Sequence, residues 1–267
     1  MARVLTISSQ VVRGHVGNSA AVFALQRLGH DVWAMPSVVL SNHPGHPHVA
    51  GTRIAPDTLE AMLAALDGNG WISEIGAVLT GYLPTAAHAA FAARAIGQIR
   101  QAGGKLMVLV DPVLGDDPGG LYIEEAAANA VKSLLVPLAD ILTPNRFELA
   151  WLTGEEVTDA ETAARAAERL GAGQVLATSI PGKTGQSLLN VLWQPSGAAI
   201  VEAPLLPSVP HGTGDLLAAL HLAQLLHGNT PQEAMRRAVT GVAAAIRASA
   251  GADELRLVAS QSLWAIA

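Results

Sequence analysis

The chain has 267 residues, 50% of them hydrophobic and 14% charged, with a net charge of −6 and no cysteine. Only 16 Lys and Arg residues argue against a basic nucleic-acid-binding surface, and the lack of cysteine excludes a disulfide framework and a thiolate zinc site. No apolar stretch approaches the roughly 20 residues of a membrane span, so we expect a soluble protein with one domain over residues 1–267. Ala2 and Arg3 lead directly into a strand pattern without a leader, so the expected compartment is the cytoplasm.

The first half of the chain alternates predicted strands with predicted helices. The predicted strands are residues 4–8, 32–40, 77–80 and 106–111, and the predicted helices are residues 18–29, 56–66 and 84–101. Asn18 is the expected cap of the first helix, which follows a loop over residues 9–17. The run from Met107 to Val110 lacks period-two alternation, which indicates strands covered on both faces and a parallel sheet with right-handed crossovers.

The second half changes its pattern. The predicted strands are residues 141–142, 174–179, 187–193 and 198–202. One predicted helix begins at Asn145, and three more cover residues 216–226, 231–248 and 260–266. The last three strands follow one another with no room for a helix between them, so they should be antiparallel. Thr230 is the expected cap of the helix that begins with Pro231.

The tetrad Gly212-Thr213-Gly214-Asp215 lies where a Pro/Ser-rich loop over residues 204–211 meets an apolar helix. A helix that begins there points unpaired backbone N–H groups and its positive dipole end at any anion in the loop. Two glycines allow the backbone to approach a phosphate, and Asp215 can accept a proton from a hydroxyl that attacks it. This is typical of a small-molecule kinase, although Thr213 or Asp215 capping a buried helix would give the same pattern.

Acidic and amide side chains follow two predicted strands. Asp111 ends one strand, and Asn145 and Glu148 follow the next through Thr143-Pro144, so all three should meet at the carboxyl edge of the sheet. Hard oxygen ligands of this kind suit Mg²⁺ bound to nucleotide phosphates. The alternative is that Asn145 caps its helix and Glu148 completes the cap, which the spacing alone favours.

A second candidate metal site lies in a loop. His43, His46 and His48 resemble a metal cluster, but no acidic or cysteine partner is near them in sequence, and a glycine/proline loop is a poor rigid scaffold. We do not expect metal binding there.

Several separated segments together resemble the ribokinase-like superfamily, and specifically the pyridoxal kinases. They are residues 9–21, 41–43, 79–82, 111–116, 143–149, 178–179 and 212–215, in the family's order. The resemblance covers nearly the whole chain. It implies a three-layer α/β/α sandwich with a mostly parallel central sheet, ATP-dependent phosphorylation of pyridoxal at its 5′-hydroxymethyl group, Mg²⁺, a potassium-type cation near the nucleotide, and a homodimer.

The resemblance also implies roles for single residues. Asp215 would be the catalytic base, and Gly212, Thr213 and Gly214 would form an anion hole. Asp111 and Glu148 would organise Mg²⁺. The residues implied for the vitamer are Ser9, His43, Pro44, Gly45 and Tyr82, and those implied for ATP are Asp111, Asp116, Asn145, Glu148, Thr178, Ser179, Leu205 and Leu206. Residues 41–51 would cover the site and limit hydrolysis of ATP by water.

Two positions depart from the family pattern. Pro44 stands where many members carry a threonine that contacts substrate, so that polar contact is either missing or replaced by His43 or His46. His211, directly before the tetrad, could adjust the charge at the phosphate or simply fill the loop, and we favour the second interpretation.

Two other functions remain as alternatives. A hydroxymethylpyrimidine or sugar kinase would share the tetrad and the acids, but residues 9–21 show neither the Asp-Pro-Ser segment nor the Asn-x-x-Asp pattern expected of them. A vitamer-binding protein without turnover would not need an intact Asp215. The preference among pyridoxal, pyridoxine and pyridoxamine does not follow from the sequence.

Overall fold

The computed structural model describes residues 1–206 and 209–265 as a mixed α/β fold. The strands are Arg3–Val11 (β1), Asp31–Leu40 (β2), Gly51–Arg53 (β3), Ile75–Thr80 (β4), Met107–Val110 (β5), Gly115–Asp116 (β6), Gly120–Leu121 (β7), Ile141–Leu142 (β8), Gln174–Pro181 (β9), Ser187–Gln194 (β10) and Gly197–Pro204 (β11). The helices are Asn18–Arg27 (α1), Pro56–Gly68 (α2), Ala86–Ala102 (α3), Glu125–Ala130 (α4), Arg146–Thr153 (α5), Ala160–Arg169 (α6), Thr213–Leu226 (α7), Pro231–Ala248 (α8) and Leu257–Trp264 (α9). Short π and 3₁₀ turns at Val131–Leu135 and Val136–Leu138 extend α4.

Nine of the described strands form one sheet in the order β11-β10-β9-β8-β5-β4-β1-β2-β3. The six central strands pair in parallel, whereas β10, β11 and β3 are antiparallel to their neighbours. The carboxyl ends of the parallel strands therefore lie along one edge. The strand order reverses between β1 and β4, and open α/β sheets bind their ligands outside the strand ends at such a point.

Helices cover both faces of the sheet, and the strands divide their side chains between two cores. In β1, Leu5 and Ile7 pack into the core with α2 and α3, whereas Val4 packs into the core with α1, α7 and α8. In β5, Val108 and Leu109 divide in the same way. This double burial explains the uninterrupted apolar strands and confirms the predicted three-layer α/β/α arrangement.

Most of the predicted elements are present, with shifted ends. The start of α8 is confirmed, since Thr230 accepts a hydrogen bond from the Glu233 backbone N–H at 3.3 Å and Pro231 follows it. The last helix begins at Leu257 rather than Ser260, and the end predicted at Ile266 lies outside the described residues, as do residues 207 and 208 of the loop before the tetrad.

The loop predicted over residues 9–17 is wrong in its first part, and so is the cap at Asn18. Strand β1 continues through Val11 with a register shift between Ser8 and Gln10, so Ser9 lies within the strand. The cap of α1 is Gly17, while the buried Asn18 amide donates to the Ser8 carbonyl at 3.2 Å. Asn18 therefore links α1 to β1. Its position in the sequence predicted a helix cap and did not indicate this contact.

No described helix combines the length and apolarity that a membrane crossing requires. The most apolar of them, α7, instead buries two polar side chains, His221 and Gln224. His221 is fully buried, and neither of its ring nitrogens has a hydrogen-bond partner among the described residues. Burial lowers the pKa of His221 to about 4, so the ring stays neutral in the folded protein.

We expect His221→Leu to remove part of the acid sensitivity of folding. With a folded pKa of about 4 against about 6.5 unfolded, the unfolded chain binds the extra proton as the pH falls through this window. The wild-type free energy of unfolding should therefore drop by about 2 kcal/mol from this group between about pH 7 and 5. Urea unfolding at both pH values measures this difference. A His221→Leu protein that loses as much stability as wild type on acidification would contradict the assignment, and exposed His48→Leu is the control.

Candidate active site

The structure gathers the predicted site residues around one cavity of about 940 Å³ at the carboxyl edge of the sheet. Every residue named for the vitamer, ATP, the metal or catalysis lines it: Ser9, His43, Pro44, Gly45, Tyr82, Asp111, Asp116, Asn145, Glu148, Thr178, Ser179, Leu205, Leu206, Gly212, Thr213, Gly214 and Asp215. Their placement agrees with the sequence-based expectation, while their individual roles stay predictions. Ligand pockets for small molecules usually measure roughly 300–1,000 Å³, so the cavity can accept a nucleotide and a small acceptor.

The tetrad forms the start of α7, and its first residue, Gly212, has a backbone conformation that other residues adopt only with strain. Gly212 is the cap residue, with φ 96°, and a Cβ placed on it would lie 1.9 Å from the His15 carbonyl oxygen. A Cβ on Gly214, by contrast, would meet no atom within 4 Å. The backbone after Gly212 therefore faces open space in the cavity, as access to a phosphate requires.

Asp215 lies in the first turn of α7 on the cavity wall. Burial raises the pKa of its carboxyl group to about 6, against the opposing effect of the nearby backbone N–H groups of Gly17 and Asp215. The capping alternative is wrong for Thr213, since the cap residue is Gly212 with no side-chain cap bond. It is also wrong for Asp215, whose carboxylate makes no cap hydrogen bond and instead lines the cavity.

Asp111 follows β5 directly and is buried. Its Oδ1 accepts a hydrogen bond from the Thr143 hydroxyl at 2.8 Å, which joins the ends of two neighbouring strands. Burial, together with the charges of Glu148 and Asp215, raises the pKa of Asp111 well above its usual value. This shift reveals negative charge concentrated in the cavity with too little positive charge to balance it.

Asn145 and Glu148 form a complete capping box at the start of α5. Asn145 Oδ1 accepts from the Glu148 N–H at 2.9 Å, and Glu148 Oε2 accepts from the Asn145 N–H at 2.9 Å. The capping alternative is thus confirmed, but the pair also extends beyond the helix. Glu148 Oε1 accepts from the Leu114 N–H at 2.8 Å, and the Asn145 amide donates to the Gly115 carbonyl at 2.8 Å. Both side chains consequently fix the helix start and the segment after Asp111 while lining the cavity.

The carboxylates fit a hard cation held partly by water and phosphate. Burial raises the pKa of Glu148 to about 7, against the opposing effect of its backbone hydrogen bonds. The charge of Glu148 raises the proton affinity of Asp111, and the charge of Asp116 raises that of Glu148. A divalent cation held by these carboxylates and by phosphates would remove that penalty. Among the described residues no group of three or more His, Cys, Asp or Glu side chains is arranged as a direct metal cage, which also applies to His43, His46 and His48.

The end of the cavity assigned to the vitamer is built on tight backbone contacts. Ser9 lies in β1 opposite Gly17, where a Cβ would come within 2.2 Å of the Ser9 hydroxyl oxygen. The Tyr82 N–H donates to the Ser8 hydroxyl at 3.1 Å, and burial raises the pKa of the Tyr82 phenol. The ends of β1 and β4 therefore form a close-packed wall at the point where the strand order reverses.

Three features of the cavity were missed from the sequence. The hairpin of β6 and β7 brings Tyr122 to the wall, and its phenol pKa is raised by burial and by the charges of Glu148, Asp111, Asp116 and Asp215. Val113 also lines the cavity, with a φ angle of 40°, and Ser179, which was predicted to lie in the site, has an unexpected φ angle of 60°. Such positive φ values in side-chain-bearing residues store strain and cluster at ligand sites. The Gly119-Gly120 pair was the available sign of the hairpin, whereas nothing in the sequence marks the two strained residues.

The fold and the cavity define an ATP-dependent kinase of the ribokinase-like class, with a carboxylate at a helix start and acids at neighbouring strand ends. Residues 30–257 match the family model described as phosphomethylpyrimidine kinase. "Pyridoxal kinase PdxY" of Rubrobacter xylanophilus is 38% identical over 97% of this chain and 92% of its own length. The chain belongs to the pyridoxal kinase family.

Solved structures of pyridoxal kinases have the same fold. The enzyme of Leishmania donovani in complex with ADP and pyridoxine superposes with a TM-score of 0.90 at 32% identity, covering 96% of this chain and 93% of that one. The enzyme of Entamoeba histolytica gives a TM-score of 0.91 at 27% identity, covering 97% and 94%.

Proposed function

We propose that the protein transfers the γ-phosphate of ATP to the 5′-hydroxymethyl group of pyridoxal, giving pyridoxal 5′-phosphate. One observation carries the proposal: Asp215 stands beside an open helix start in a cavity that reaches from the end of β1 to β11. Pyridoxal kinases at 33–38% identity over nearly the whole chain support the choice of acceptor.

Asp215 acts as the general base. A carboxyl group with a pKa of about 6 is mostly ionised at neutral pH and still basic enough to take the hydroxyl proton as the oxygen attacks phosphorus. The nearby backbone N–H groups of Gly17 and Asp215 favour the ionised form of the carboxyl group and so oppose the effect of burial. The backbone N–H groups after Gly212, together with the positive end of α7, stabilise the charge on the transferring phosphoryl group.

The acids at the strand ends hold the metal and the nucleotide. Asp111 and Glu148 organise Mg²⁺, which when bound neutralises the phosphate oxygens of ATP. Asn145, Thr178 and Ser179 contact the phosphates, Asp116 lies at the ATP end of the cavity, and Leu205 with Leu206 lies along the adenine. A potassium-type cation near the nucleotide stays an expectation of the family resemblance.

The other end of the cavity receives the vitamer. Ser9 hydrogen-bonds the pyridine ring, Tyr82 and Gly45 line its faces, and His43 with Pro44 belongs to the loop that covers it. Covering the site limits transfer of the phosphoryl group to water. We also propose that residues 1–267 act as one catalytic unit, because residues from Ser9 to Ile246 line the same cavity, and that the unit forms a homodimer.

Mg²⁺-dependent ADP production by the purified protein tests this function, with pyridoxal, pyridoxine, pyridoxamine, hydroxymethylpyrimidine and ribose as separate acceptors. We expect turnover with pyridoxal or its relatives, and only background ADP with ribose. The description of the matching family model makes hydroxymethylpyrimidine the second candidate acceptor. Turnover with hydroxymethylpyrimidine alone would keep the fold and the base but overturn the acceptor. Tight vitamer binding with no ADP from any acceptor would instead indicate a binding protein.

A further inference from the structure

The loop over residues 41–50 is a compact unit closed by its own hydrogen bonds. The Ser41 N–H donates to the Ala50 carbonyl at 2.7 Å, and the Ala50 N–H donates to the Ser41 hydroxyl at 3.0 Å. Across the loop, the Asn42 amide donates to the His48 carbonyl at 3.0 Å. These bonds shape the loop, and the Arg13 N–H, which donates to the Ser41 carbonyl at 2.9 Å, ties the base of the loop to the segment after β1.

A histidine pair joins this loop to the tetrad. The rings of His43 and His211 stack with centroids 3.8 Å apart and an interplanar angle of 18°. His211 directly precedes Gly212, so the stack connects the loop to the segment that starts α7. A Cβ on Gly45 would lie 3.0 Å from His43 Nδ1 and 3.3 Å from His211 Nε2, so glycine lets the loop pack against both rings.

The surroundings keep His43 neutral. Its Nδ1 accepts the Gly45 N–H at 3.0 Å and so carries no proton. Burial, with smaller contributions from His211 and His46, lowers the pKa of His43 to about 4. The charged and titratable groups that face the pair across a small second cavity are Arg13, His15, His46, Asp253 and Glu254. Arg13 is bound to Asp253 at 3.0 Å.

We propose that His211 is a positioning residue for the acceptor: by stacking on His43 it holds the loop over residues 41–50 against the segment before the tetrad. This inference rests on the proposed function for its kinetic consequence, but the docking itself does not depend on which acceptor is used. His211 is thus more than the filler that the sequence suggested. Stacking of aromatic rings requires a flat ring at this position, not a titratable one.

The kinetic test compares three variants with Mg²⁺-ATP and pyridoxal. His211→Ala should raise KM for pyridoxal about tenfold, which is about 1.4 kcal/mol of binding, while KM for ATP changes less than about twofold. His211→Phe keeps a flat ring and should recover most of the wild-type KM. His48→Ala, an exposed histidine of the same loop, is the control. Equal KM for pyridoxal in His211→Ala and wild type would overturn the proposal, as would a His211→Phe value no better than that of His211→Ala.

A second measurement needs no substrate. Proton NMR titration of the His43 ring should give a pKa near about 4 in wild type, close to that value in His211→Phe, and nearer to about 6.5 in His211→Ala, where the loop loses its support. An unchanged His43 pKa in His211→Ala would contradict the docking role. Because this result stands without turnover, failure of the acceptor assignment and failure of the positioning role are distinguished.

Discussion

Asp215→Asn should lower kcat for phosphoryl transfer about 10²–10⁴-fold, because the amide cannot accept the hydroxyl proton. The amide has nearly the same size and shape as the carboxylate, so the side chain should keep its place on the cavity wall and ligand affinity should change little. In wild type, kcat/KM should fall about tenfold per pH unit below about pH 6, because the base then carries a proton. Initial rates of ADP formation with Mg²⁺-ATP and pyridoxal measure both effects, after correction for the titration of the acceptor itself.

The exposed carboxylate of Asp67, near the end of α2, provides the matched control. Asp67→Asn makes the same chemical change far from the cavity and should leave kcat and its pH dependence as in wild type. Retention of more than about a tenth of the wild-type kcat in Asp215→Asn would remove Asp215 from the role of base. The remaining rate would then have to come from positioning and electrostatics alone.

Gly212→Ala should destabilise the protein by about 3 kcal/mol and lower Tm by about 10 °C. Alanine is strained at φ 96°, and its Cβ would lie 1.9 Å from the His15 carbonyl oxygen, so the backbone at the start of α7 has to move. That movement displaces the N–H groups proposed to hold the phosphoryl group, so kcat of the folded fraction should fall about 10²-fold as well. Thermal unfolding and ADP formation measure the two effects separately.

Gly214→Ala tests whether the loss comes from the backbone position. Nothing lies within 4 Å of a Cβ on Gly214, and alanine is the better helix former, so Tm should hold or rise slightly. A Gly212→Ala protein as stable as Gly214→Ala would show that the contact with His15 relaxes at little cost. The close approach of two loops would then not be the reason for glycine at this position.

The sequence predicted the parts of the site that follow from local pattern and parallel topology. Asp111 and Asn145 end or follow neighbouring strands, and parallel strands bring such positions to one edge. The tetrad was found because glycines directly before an apolar helix are typical of a helix start that binds phosphate. The two interpretations of Asn145 and Glu148 proved compatible, since the same two side chains complete the capping box and line the cavity.

The features that were missed depend on contacts between distant segments or on backbone angles that a residue type does not reveal. His43 and His211 meet only because the loop after β2 folds over the start of α7. Val113 and Ser179 adopt positive φ angles that their side chains disfavour. The residue types therefore predict a different backbone conformation from the one that the fold holds. Asn18 was predicted to cap a helix because of its position, but its side-chain amide donates a hydrogen bond to the Ser8 carbonyl in the strand beneath. In each case tertiary packing overrode the local preference.

The capping box at Asn145 and Glu148 has a consequence for genetic experiments. These side chains begin α5 and also hold the segment beside the buried acids, so a substitution there reduces both the amount of folded enzyme in a cell and the turnover of each molecule. In a complementation assay the two losses multiply, and growth alone would overstate the chemical importance of Glu148. Natural selection should therefore allow fewer substitutions at these two positions than at positions whose side chains have only a structural or only a functional role.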